Sequence, residues 1–219
     1  KCAMKVGTDG TLLGAWVKAD NPQHILDIGT GTGLIAMMMA QRFENAQVKA
    51  IEIDLDASQQ AAENFQNTTW INRLYLEHIS LQEFQHKSSF DLIVSNPPFF
   101  ENNLKAKNKQ RRQARHTDTL SFETLIESSA KLLNKNGSLA IIIPSTSKEK
   151  VEVIAQKHHL HLNRLCWVKG TEKTAVKRAV LQFNFQKKTL EENTLVIEKE
   201  RHVYTDEYTQ LCKEFYLKM

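Results

Sequence analysis

The chain has 219 residues, of which 41% are hydrophobic and 25% charged, an ordinary globular composition that excludes disordered, collagen-like and disulfide-scaffold classes. Its 29 Lys and Arg against 25 Asp and Glu give a formal charge of +4, so where that small excess sits matters more than its size. Cys2, Cys166 and Cys212 are scattered and odd in number, which leaves no disulfide framework and no CxxC pair, and no apolar run approaches the ~18 residues of a membrane span.

In chain order, the apolar segment Ile25-Leu26-Asp27-Ile28 runs into Gly29-Thr30-Gly31-Thr32-Gly33. The apolar stretch Leu34 to Phe43 follows as a helix, and Val48 to Ile53 is the second strand, which completes a βαβ opening. A helix near Asp56 to Gln66 carries Ala61, Ala62 and Phe65 at helical spacing, and Leu74 to Ile79 and Phe90 to Ser95 read as the third and fourth strands. Ser121 to Leu133 has helical periodicity, with Gly137 expected as its stop, and Ser138 to Ile143 is the fifth strand. Thr146-x-x-Glu149 has capping-box spacing ahead of a further helix. The runs Leu162 to Val168 and Ala179 to Phe185 have no long helix between them and read as an antiparallel pair at the sheet edge. Asp206 to Leu217 is expected to be a closing helix. Strands alternating with helices make the fold class α/β with a mostly parallel sheet.

Two segments carry chemistry. A tight turn after a buried strand needs residues without Cβ, and the helix N-terminus behind it offers unpaired N–H groups. Asp27, Gly29, Gly31 and Gly33 supply that arrangement, but Leu34 stands where a dinucleotide fingerprint has its third glycine, so the spacing favours another nucleotide-like ligand. Glu52, ending the second strand, is placed for its carboxylate to accept from ribose hydroxyls. In Asn96-Pro97-Pro98-Phe99-Phe100, after the fourth strand, the prolines stiffen the backbone. Asn96 offers a side-chain oxygen, Pro97 a free carbonyl, and Phe99 or Phe100 a flat stacking surface. That set suits a planar NH2 group on an aromatic ring or an amide, whose two hydrogens need two acceptors.

Together these segments resemble class I S-adenosylmethionine-dependent methyltransferases acting on planar nitrogens. Within them, Met4 to Trp16, Arg112 with Ala114-Arg115-His116 and Leu120, and Phe215-Tyr216-Leu217-x-Met219 resemble bacterial tRNA adenine-N6 methyltransferases, which act on the adenosine beside the anticodon of valine tRNA. The resemblance runs nearly end to end. It implies a Rossmann-like class I methyltransferase fold, a seven-stranded mostly parallel sheet with an antiparallel last strand, in a single domain over residues 1–219 that lacks a short native N-terminal stretch. It implies S-adenosylmethionine as cofactor, held by Thr8, Asp9, Asp27, Gly29, Gly31, Gly33, Glu52, Ile53, Ser80, Leu81 and Asn96. Ser80 stands where many relatives carry an acid that contacts the cofactor adenine. Asn96, Pro97, Pro98 and Phe99 are the implied catalytic residues and tRNA the partner. No membrane and no obligate protein partner is expected, and the scattered, odd cysteines make a reducing cytoplasm the expected location.

Residues 102–117 hold Lys105, Lys107, Lys109, Arg111, Arg112 and Arg115 and no acid. Without those six, 23 basic residues face 25 acidic ones, a charge of −2, so the net positive charge is local. Beside a catalytic loop such a segment suits RNA phosphates, and Arg178 matches a basic position of the same family. No metal is expected: His158, His159 and His161 come without a Cys or a patterned acid. Met37-Met38-Met39 reads as helix packing. The expected reaction is methyl transfer to adenine N6 in tRNA. The rival acceptors on the same scaffold are guanine N2 in ribosomal RNA, adenine in DNA and a protein glutamine amide, and a different class is a non-catalytic nucleotide- or RNA-binding module.

Overall fold

A computed structural model describes residues 7–98 and 120–216. The helices are α1 (Thr8–Trp16), α2 (Leu34–Arg42), α3 (Leu55–Gln66), α4 (Phe122–Leu132), α5 (Lys148–Lys157) and α6 (Asp206–Cys212). The strands are β1 (His24–Ile28), β2 (Gln47–Glu52), β3 (Leu74–His78), β4 (Phe90–Ser95), β5 (Leu133–Pro144), β6 (His161–Thr171), β7 (Val176–Asn184), β8 (Glu191–Glu200) and β9 (Val203–Tyr204). They form one sheet in the order β3-β2-β1-β4-β5-β7-β6-β8-β9.

The first five strands are mutually parallel, and β7 runs antiparallel between β5 and β6. The described sheet therefore has nine strands where seven were expected. The late pair β6–β7 forms as read, but it is not the edge: β8 adds parallel to β6, and β9 pairs with β8. The sequence of β8, Glu-Glu-Asn-Thr-Leu-Val-Ile-Glu-Lys-Glu, is largely polar, so it lacks the apolar run that marked the inner strands.

Alternation along the strands feeds two cores, because successive side chains point to opposite faces. Ala140 and Ile142 of β5 join Leu12, Leu13, Met38, Met39 and Tyr208 on the face covered by α1, α2 and α6. Ile141 and Ile143 join Leu125, Ile126 and Ile154 under α4 and α5. The expected packing of the methionine run is borne out for Met38 and Met39, both buried.

Three local expectations fail for identifiable reasons. Gly137 does not stop α4, which already ends at Leu132; it lies within β5, where a Cβ would come within 2.7 Å of the Phe90 carbonyl oxygen. Closeness to a neighbouring strand is what that glycine serves. The Thr146–Glu149 capping box does not form, because a short 3₁₀ turn (Ser145–Ser147) precedes α5 and its N-cap, Ser147, makes no side-chain bond. The closing helix stops at Cys212 and continues as a 3₁₀ turn over Lys213–Phe215.

Candidate active site

The strand order reverses at β1, whose neighbours are β2 on one side and β4 on the other. In doubly wound sheets ligands bind at the carboxyl ends of the strands at such a point. The register makes this concrete: Ile28 pairs with Ile51 on β2 and with Ser95 on β4. The residues that follow these three, Gly29, Glu52 and Asn96, are thus brought side by side. The buried Ser95 hydroxyl donates to the Ile28 carbonyl at 2.8 Å and ties the two strand ends together.

The glycine loop has left-handed backbone at all three glycines, with φ of 69°, 59° and 87° at Gly29, Gly31 and Gly33, a region open to glycine at little cost. A Cβ on Gly29 or Gly31 would meet nothing within 4 Å, so the bare backbone faces open space. At Gly33 a Cβ would come within 2.4 Å of the Phe65 ring. That glycine serves packing: α3 lies against the loop through Phe65 and through Asn64, whose Nδ2 donates to the Thr32 carbonyl at 2.8 Å.

Glu52, 8% exposed, accepts three backbone N–H groups: Gly31 at 2.7 Å on Oε2, and Ile53 and Asp54 at 2.9 Å each on Oε1. The carboxylate expected at a ribose is also the clasp that holds the glycine loop to the end of β2. Oε2, with one donor, keeps acceptor capacity.

Asp27 is fully buried beneath the loop. Its Oδ2 accepts the Thr30 hydroxyl at 2.6 Å and the Ala36 N–H at 3.0 Å, while Oδ1 has no partner among the described residues. Burial raises its carboxyl from the ordinary 3.8 to about 7; the bonds from Thr30 and Ala36 oppose that rise, and the nearby Glu52 charge adds to it.

A cavity of about 260 Å³ opens between these groups, with Gly29, Gly31, Glu52, Ile53, Asn96 and Pro98 among its lining residues. Leu81 also lines it, as do Asp54 and Gln82, which the sequence reading did not single out, and Leu120, named there only for the family resemblance. Ser80 is not among the lining residues; its hydroxyl donates to Glu83 Oε2 at 2.7 Å and accepts the Glu83 N–H, closing the turn after β3. Gln82 had no signal beyond its position two residues past that serine. Asn96 presents a buried Oδ1 with no hydrogen-bond partner among the described residues, and Pro97 beside it is buried. Phe99 and the basic residues from Lys105 to Arg115 lie outside the described residues.

Thr8 and Asp9 open α1, whose Gly10 backbone packs beside Asn96. Arg178, expected at RNA, has its Nε donated to Asp9 Oδ2 at 2.8 Å. Among the described residues no group of three or more His, Cys, Asp and Glu could hold a metal ion, and no helix is long and apolar enough to cross a membrane.

The bare glycine backbone, the carboxylate clasp and an open acceptor at a sheet switch point fit S-adenosylmethionine, and with the fold they define a class I S-adenosylmethionine-dependent methyltransferase. Solved structures agree on the fold: a predicted O-methyltransferase from Agrobacterium tumefaciens superimposes with a TM-score of 0.72 at 17% identity, over 94% of this chain and 96% of that one. An N-methyltransferase from Bradyrhizobium japonicum gives 0.52 at 16% identity, over 74% and 85%. The methyltransferase small domain family matches residues 2–163. Full-length relatives are closer. The tRNA1(Val) (adenine(37)-N6)-methyltransferases of Flavobacterium psychrophilum, Trichodesmium erythraeum and Pseudoalteromonas translucida are 49%, 46% and 41% identical over all of this chain and 95%, 93% and 94% of their own lengths. The chain belongs to this methyltransferase family.

Proposed function

We propose that this protein, acting in the cytoplasm as one domain, methylates N6 of adenosine 37 in valine tRNA. The observation that carries the reading is the buried, unpartnered Oδ1 of Asn96 beside the glycine loop. A buried acceptor without a donor is costly, and an incoming amino group removes that cost. The relatives' activity on tRNA supports adenine as the owner of that amino group.

When bound, S-adenosylmethionine supplies an electrophilic methyl group on sulfur. Gly29, Gly31 and Glu52 would hold it, with Ile53 and Leu81 beside them on the cavity wall, while the buried Asp27 supports the loop from beneath. The lone pair of an adenine amino group is delocalised into the ring, so the nitrogen is a weak nucleophile. Asn96 Oδ1 and the Pro97 carbonyl each accept one N–H, which draws the lone pair back onto nitrogen and directs it. Phe99 stacks on the base. Catalysis is then positioning and electrostatics, without a strongly basic side chain. The adenosine must leave its stack, which an anticodon loop allows at lower cost than a duplex. Lys105, Lys107, Lys109, Arg111, Arg112 and Arg115 hold the RNA phosphates.

Incubation with labelled S-adenosylmethionine and separate unmodified tRNA, ribosomal RNA, DNA and protein fractions tests this. Nucleoside analysis should recover N6-methyladenosine from tRNA alone; label in guanine N2, DNA adenine or glutamine would overturn the acceptor assignment.

A further inference from the structure

We propose that Asp9 and Arg178 form a positioning latch that seats the first turn of α1 against Asn96 and so keeps the Asn96 acceptor aimed for methyl transfer; the inference rests on the methyl-transfer reading above. The pair joins residues far apart in the chain. Arg178, near the start of β7, lies opposite Pro144 at the carboxyl end of β5, hence on the same sheet edge as Asn96. Its Nε donates to Asp9 Oδ2 at 2.8 Å, and its Nη1 donates to the Lys177 carbonyl at 3.2 Å.

The first turn of α1 needs such a tie. Its N-cap, Gly7, makes no side-chain bond, and the backbone bond that closes the turn, Thr11 N–H to the Gly7 carbonyl, is long at 3.4 Å. The far end of α1 is fastened otherwise: Leu12, Leu13 and Trp16 are buried, and the Arg42 guanidinium donates to the Gly14 and Val17 carbonyls. Fraying would therefore be confined to the first turn.

That turn covers the catalytic asparagine. Gly10 is buried, and a Cβ built on it would lie 4.0 Å from Asn96 Nδ2 and 3.4 Å from the Leu34 side chain. If the turn lifts, water reaches Asn96 Oδ1 and its fixed direction is lost. An ion pair whose side chains are 33% and 29% exposed contributes little to global stability, so its effect falls on this local geometry. Asp9 also lies in the first turn, at the positive end of the helix dipole.

Asp9→Asn, Arg178→Gln and the double variant test the latch. Each single change should lower kcat about tenfold, by misplacing an acceptor group, with KM for tRNA and the cofactor Kd within about twofold and Tm within about 2 °C. The double variant should be no slower than the slower single, since both cut the same tie. Arg178→Lys, which keeps the charge and a donor, should recover part of kcat. Hydrogen exchange of the Thr11 amide in ligand-free Asp9→Asn should quicken about tenfold.

Unchanged kcat and unchanged exchange in both singles would reduce the pair to a surface contact and overturn the latch. Arg178→Gln raising KM for tRNA at constant kcat, with Asp9→Asn silent, would overturn it in favour of an RNA contact. If wild-type protein methylated no tRNA, the substrate reading would fail, while the exchange measurement, which needs no substrate, would still decide the latch.

Discussion

The two halves of the site are finished to different degrees. On the cofactor side, the glycine loop is locked by its own chain: Glu52 accepts three N–H groups, Asn64 donates to Thr32, and Phe65 fills the space beside Gly33. On the acceptor side, one strand away, Asn96 Oδ1 is buried with no partner among the described residues. A satisfied network stays put when the ligand leaves, whereas an unsatisfied buried acceptor at a site's opening suits a ligand that will pair with it. The first half thus spends its polar groups on shape and the second holds one in reserve.

Asn96→Ala should break this contrast with the largest effect. Methyl transfer is expected to fall by about 10²-fold or more, the loss seen when one preorganised polar contact to a reacting group is removed. Thermal stability should hold or rise slightly, because the deleted oxygen had no partner to lose. Cofactor affinity should change little. A variant that keeps near wild-type turnover, or that unfolds, would show that Asn96 is a structural residue like those opposite.

Glu52→Gln probes the finished half. Its amide nitrogen cannot accept, so at least one of the Gly31, Ile53 and Asp54 N–H groups loses its charged partner at a cost of about 1–3 kcal/mol. Here both Tm and cofactor affinity should drop together, as calorimetry and thermal denaturation would record. Weakened binding at full stability would mean that Glu52 acts on the ligand alone and that the loop is held by α3.

The unequal finish also explains what could be read in advance. Gly29, Gly31 and Gly33, Glu52 and Asn96-Pro97-Pro98 stand at strand ends, and strand ends are legible because buried parallel strands are apolar runs with abrupt stops. Once β1, β2 and β4 are placed, their register alone brings Gly29, Glu52 and Asn96 together. The edge strands β8 and β9 escaped because exposed strands carry no such run. Side-chain partners escaped for another reason: that Ser80 would turn to Glu83, or Arg178 to Asp9, depends on which donor is nearest in space, and residues 9 and 178 have no relation in the sequence that announces it.

Asp27 gives the finest test, since it belongs to the locked half yet keeps one oxygen unpartnered. Its carboxyl titrates near 7 in the folded protein against an ordinary 3.8. Between those values the unfolded chain has lost a proton that the native state still holds, so native stability from this group is full below about pH 4 and is lost as pH rises toward 7. Other groups titrate as well, so the informative quantity is the difference between wild type and Asp27→Asn. With its oxygen in the Oδ2 position, the asparagine keeps both the Thr30 hydroxyl and the Ala36 N–H as donors. Its Tm should fall less than that of wild type between pH 5 and pH 8, by a few degrees for a chain of this size, and at pH 8 the variant should be the more stable protein. Cofactor affinity should nevertheless suffer, because the buried carboxylate is gone. Parallel pH–Tm curves for the two proteins would mean that Asp27 is ionised throughout this range, and its unpartnered oxygen would then need a partner within the folded loop.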